Sequence, residues 1–137
     1  MDAETIAGEL APHLKALGYK KRGFTWFRQS DALTVVFAVQ RSQFGKDLWY
    51  YAFGTALHAL TPPPVQSISK CQIQDKTEMR TKNGSMLTLE HILHLVQFWA
   101  EQYGDIRTLR IRAVQNKLPA MTERNAVRYL TKGGLPL

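Results

Sequence analysis

The stretch VVFAVQRSQFGKDLWYYAFG, from Val35 to Gly54, decides the fold. Two apolar runs flank a polar knot, Gln40-Arg41-Ser42-Gln43. The first run, residues 33–40 (LTVVFAVQ), is β-branched and apolar on both faces, the pattern of a central strand. The second, residues 48–59, alternates. One face carries Trp49, Tyr51, Phe53, Thr55 and Leu57; the other carries Leu48, Tyr50, Ala52, Gly54, Ala56 and His58. Phe44-Gly45-Lys46-Asp47 suits the turn between them, with Gly45 supplying the permissive conformation. That leaves Gln40, Arg41 and Ser42 at the end of a central strand, where polar side chains need partners. They either tie the strand end to its neighbours or face a partner at the rim of the sheet.

Working outward, residues 23–30 (GFTWFRQS) read as a preceding strand. Phe24, Trp26 and Arg28 lie on one face, Thr25, Phe27 and Gln29 on the other. The connections are short, so an antiparallel meander is the economical topology. Residues 68–79 alternate weakly and read as an edge strand. Thr61-Pro62-Pro63-Pro64 is a stiff surface loop.

Helices are expected on either side. Residues 3–17 bring Ile6, Leu10, Leu14 and Leu17 to one face, and Gly18 fits the left-handed position past the end. Pro12 inside this helix predicts a kink near Gly8. After a turn at Asn83-Gly84, residues 88–103 form the clearest helix, with a stripe of Leu89, Ile92, Leu93, Val96, Trp99, Ala100 and Tyr103, ended by Gly104. Residues 105–118 read either as a helix capped by Asp105 or as a strand, with the helix preferred. A last helix spans 122–132, capped by Thr122 and stopped by Gly133-Gly134. The fold class is α+β: an N-terminal helix, an antiparallel meander of three to five strands, and C-terminal helices packed on one face. With 137 residues, a single domain is expected.

Composition narrows the function. Apolar residues make up 45% of the chain, an ordinary globular share. No window approaches the roughly 18 apolar residues of a membrane span, so no membrane partner is expected. The first ten residues carry three acids and no Lys or Arg, the opposite of a signal or transit peptide. Cys71 is the single cysteine, so no internal disulfide forms, and a cytoplasmic location follows. The net charge is +7. Seven basic residues lie in 105–137 (Arg107, Arg110, Arg112, Lys117, Arg124, Arg128 and Lys132) against Asp105 and Glu123. Such a run is usually a solvated surface; Arg107, Arg110 and Arg112 are its candidates for contact with nucleic acid or an acidic protein.

No catalytic constellation stands out. There is no Ser or Cys in a Gly-rich elbow, no phosphate-binding Gly-Lys loop, no CxxC or HExxH, and no close carboxylate pair. Cys71 has Lys70 beside it, which lowers a thiol pKa when both are exposed, yet a lone cysteine is more often inert. His91 and His94 lie three apart on the helix but point away from its apolar stripe and lack further ligands, so neither metal nor cofactor is expected. Phe98 shares that far face with Leu87. The preferred reading has the C-terminal helices cover it; the other makes Phe98 and His91 a partner surface. Lys20-Lys21-Arg22 beside Phe24, Trp26 and Phe27 resembles a nucleic-acid track, but an alternating strand must bury half of those aromatics.

Three segments carry a family resemblance: LGYKKRGFTWFR, VVFAVQRSQFG and YYAFGTAL, in that order and spacing. Over residues 10–60 the chain resembles the mostly bacterial domain of unknown function 4304. Family members often carry Asn near the end of the third strand, where Ala52-Phe53-Gly54 stands here. The resemblance implies a small α+β domain without established catalytic residues. By analogy, some look-alike bacterial domains of this size lie beside secreted antibacterial toxins and are taken as immunity proteins. The expected function is therefore a non-catalytic protein-binding domain, an immunity-type protein that neutralises a toxin by occluding it. The alternative is a basic nucleic-acid-associated module. A basic inhibitor suits a partner with an acidic face.

Overall fold

The computed structural model of the protein describes residues 3–41, 49–78 and 87–132. Ser42, the turns at 44–47 and 83–84, and Gly133-Gly134 lie outside the described residues. In chain order the elements are α1 (Ala3–Ala16), β1 (Lys20–Arg22), β2 (Thr25–Gln29), β3 (Leu33–Arg41), β4 (Trp49–Leu57), β5 (Ile73–Glu78), α2 (Leu89–Tyr103), α3 (Ile106–Val114), β6 (Met121–Thr122) and α4 (Arg124–Thr131).

The described strands form one antiparallel sheet in sequence order, β1 to β6. The meander is as expected, but it has six strands rather than three to five. The additional two are short. Lys20–Arg22 folds back on residues 25–27 of β2 through a turn at Gly23, whose φ is +62°, so residue 23 opens no strand. Met121 and Thr122 pair with Gln74 and Ile73. The run at 68–79 is corrected accordingly: residues 68–70 form a single 3-10 turn, the strand starts at Ile73, and β6 covers its first two residues.

Period-two alternation sorts the sheet residues onto two faces. Trp26, Val35, Phe37, Tyr51, Phe53 and Leu57 join α1, α2, α3 and α4 in the main core. The helices contribute Leu10, Leu14, Ile92, Val96, Trp99, Leu109, Ala113, Ala126 and Leu130, all buried. The leucine, isoleucine and valine side chains among them contribute roughly 1.5–3 kcal/mol each when fully buried. The opposite face is covered too. Val36, Ala38, Ala52 and Ala56 pack against Val65, Ile68 and Cys71, brought over the sheet by the segment after Pro62–Pro64. The prolines themselves are exposed, as a surface loop requires. Burial on both faces explains why β3 reads as continuously apolar: its residues 33–39 are all buried.

The helix ends follow local chemistry. α1 runs through Gly8 and Pro12, both exposed, so water can reach the Gly8 carbonyl that Pro12 leaves without a donor. Gly18 adopts φ +91° past its end, and the Tyr19 amide donates to the Leu14 carbonyl at 3.0 Å. Thr88 caps α2, accepting from the His91 amide at 3.1 Å. The helical reading of 105–118 holds for Ile106–Val114, while 115–118 leave the helix; the Asp105 carboxylate caps it, accepting from the Thr108 amide at 2.9 Å and its hydroxyl at 3.0 Å. Thr122 does not cap α4. It belongs to β6 and donates to the Pro119 carbonyl at 2.6 Å, and Glu123 stands at the N-cap position.

Candidate functional site

The sequence candidates fall on three elements. Gln40 and Arg41 end β3, opposite Tyr50 and Trp49 of β4; Gln40 is partly buried and Arg41 exposed. Their partner in the knot, Ser42, is outside the described residues. His91 and Phe98 sit together on the outer face of α2, two turns apart, or about 10 Å along the helix. Both are exposed, Phe98 to 47%. The expectation that C-terminal helices cover Phe98 is corrected: α3 and α4 turn their buried residues to the main core and leave this face open. Leu87 does not share it, being packed on the core.

The three arginines of α3 differ from one another. Arg107 is exposed. The Arg110 guanidinium lies over the Tyr129 ring at 5.1 Å and donates to the Tyr129 and Leu130 carbonyls at 3.4 and 3.3 Å. It therefore ties α3 to the end of α4, where a cation offsets the helix dipole. The Arg112 guanidinium lies 5.1 Å from the Tyr103 ring centre. Arg110 and Arg112 are both partly buried and held by aromatic stacking, so each has a structural use.

Several polar residues that the sequence reading passed over hold the fold. Arg28 lies 4.9 Å over the Tyr19 ring and donates to the Leu17 carbonyl at 3.0 Å, closing the end of α1. Burial raises the Tyr19 phenol above its ordinary value, against the lowering effect of Arg28. Gln72 is buried; its Oε1 accepts from the Leu57 amide at 2.8 Å and its Nε2 donates to the Thr61 hydroxyl. An Arg alternating with Trp26 on a face that must be buried was the available signal for the first. The second gives none, because its partners are 11 and 15 residues away.

Thr34 and His58 have the form of a nucleophile and base. The Thr34 hydroxyl lies 2.7 Å from His58 Nε2, and His58 Nδ1 lies 2.8 Å from the Asp31 carbonyl. A carbonyl only accepts, so Nδ1 carries a proton, and in the neutral ring Nε2 accepts from the Thr34 hydroxyl. Thr34 has no exposed surface, so substrate cannot meet its hydroxyl. The arrangement instead clips the end of β4 to the β2–β3 turn.

Cys71 is likewise enclosed, at 1% exposure, and burial pushes its thiol up to about 12. Lys70 is exposed and does not offset this. Iodoacetamide at pH 8 is expected to label Cys71 at the rate of global unfolding, followed by intact mass, and rapidly in urea. Labelling as fast as a free thiol in native buffer would contradict the burial. Tyr51 is also pushed up to about 12 by burial. Both groups bind their protons more tightly folded than unfolded, so unfolding releases protons at high pH. Stability is full below about pH 9, the ordinary value for the thiol, and falls as pH rises toward about 12. Denaturation midpoints across that range check the sign.

Among the described residues there is no group of three or more His, Cys, Asp or Glu side chains placed to hold a metal. None of their helices is long and apolar enough to cross a membrane. The fold and its buried polar groups define an α+β domain, with the exposed candidates carried by the outer face of α2, the α3–α4 pair and the end of β3. Residues 10–84, more than half the chain, match the family model described as Domain of unknown function (DUF4304), and the protein belongs to that family. No curated protein and no solved structure matches it. Within the matched stretch, Ala52 packs in the second cluster and Phe53 in the main core.

Proposed function

We propose that this domain works by binding another protein, as an immunity-type protein that occludes a bacterial toxin in the cytoplasm. The observation that carries this is Phe98, a 47% exposed aromatic on α2, opposite the stripe that packs on the sheet. Aromatic side chains are enriched at the core of protein interfaces, and one held on a helix costs little conformational entropy on binding. His91, two turns earlier on the same face, supplies an exposed polar group. The enclosed Cys71 and Thr34 favour binding over catalysis as the mode of action.

The test is affinity purification of the tagged protein from its native cells, with Phe98→Asp in parallel. A stoichiometric protein partner that is lost with Phe98→Asp is expected. The substitution is at an exposed site, so its own effect on stability should stay within about 0.5 kcal/mol. Recovery of nucleic acid in place of protein, or equal recovery by both forms, overturns the reading.

A further inference from the structure

The paired outer faces of α3 and α4 combine exposed cations with exposed apolar groups. On α3, Arg107, Ile111 and Val114 recur at spacings of four and three, opposite the buried Leu109 and Ala113. Ile111 is 41% and Val114 43% exposed. On α4, Arg124 and Arg128 are exposed, one turn apart and opposite the buried Ala126 and Leu130. The Arg110–Tyr129 stack is the seam between the helices, so the two faces are held as one surface.

We propose that this α3–α4 face docks an acidic segment of a partner protein, with carboxylates meeting Arg107, Arg124 and Arg128 and apolar side chains seated on Ile111 and Val114. The proposal rests on the protein-binding reading and adds the chemistry of the partner and a second contact face. Guanidinium groups pair with carboxylates in bidentate fashion, which favours acidic protein over a diffuse counterion cloud. A nucleic-acid backbone satisfies the cations but offers nothing apolar to Ile111 and Val114, whereas a protein interface has an apolar centre within a polar rim.

The experiment titrates the isotope-labelled full chain with three probes, read by backbone amide shifts. The probes are an amphipathic peptide of Glu and Leu, an all-Glu peptide and a short DNA duplex. The Glu/Leu peptide is expected to shift amides of 107–114 and 124–128 saturably and to bind more tightly than the other two. Ile111→Asp and the double variant Arg107→Glu/Arg128→Glu should each weaken it about tenfold. Tighter binding of the duplex to these amides, or shifts by the peptide elsewhere or nowhere, overturns the proposal. A native partner held by Ile111→Asp and the double variant as well as by wild type also overturns it, while leaving the Phe98 reading standing. Loss with Phe98→Asp alone therefore separates the two.

Discussion

Trp99→Ala is expected to lower the free energy of unfolding by about 3–5 kcal/mol, a large part of what a domain this size has. Trp99 is 5% exposed, with ring centroids 5.8 Å from Phe53 and 4.5 Å from Tyr103. It also carries a hydrogen-bond relay. Its Nε1 donates to the Gly54 carbonyl and the Thr55 hydroxyl, both at 3.1 Å, and that hydroxyl donates to the Tyr103 carbonyl at 2.7 Å. The relay joins the centre of the sheet to the last turn of α2, the helix that displays Phe98. Trp99→Phe separates the two contributions: it keeps most of the ring and loses the donor, and should cost about 1–3 kcal/mol. Urea denaturation measures both. Equal losses for Phe and Ala would mean that the ring contributes nothing beyond its N–H, contrary to the packing described.

The second large effect lies on the other face of the same strand. A Cβ built at Gly54 would lie 2.6 Å from Cys71 Sγ and 2.9 Å from Cys71 Cβ, with Ile68 Cδ1 at 3.3 Å. Gly54→Ala is therefore expected to destabilise by about 1–3 kcal/mol, and Gly54→Val by more. Cys71→Ala removes the nearer atom and leaves the Cβ. The double variant Gly54→Ala/Cys71→Ala should accordingly lose less than the sum of the singles, by about 1 kcal/mol. Strict additivity in the denaturation cycle would show that the two side chains do not meet. A lone cysteine thus has a packing role here, which its enclosure also implies.

The sheet's centre and the long helices were legible because their periods are long enough to count. Alternation over 48–59 sorts Phe53 from Gly54, and the stripe from Leu89 to Tyr103 marks the buried side of α2. Asp105 correctly favoured a helix over 105–118. β1 and β6 escaped because three and two residues carry no readable period, and all three residues of β1 are exposed. The site was less legible than the fold. Arg107, Arg110 and Arg112 look alike in sequence, and only the approach of Tyr103 and Tyr129 separates the stacked pair from the exposed residue. The spacing of Arg107, Ile111 and Val114 was there to be read, but a charge run draws attention from the apolar residues within it. Lys70 beside Cys71 was misleading, since burial under residues distant in sequence decides the thiol's behaviour.

The central claim, that this domain acts through its helical surfaces upon another protein, is tested most directly by the mass of the assembly isolated from native cells. Size-exclusion chromatography with light scattering on the purified wild type should show a complex heavier than the 15.6 kDa chain by one partner protein. Phe98→Asp should run as the chain alone. A wild type that elutes free of any protein partner at low and moderate salt alike would contradict the claim.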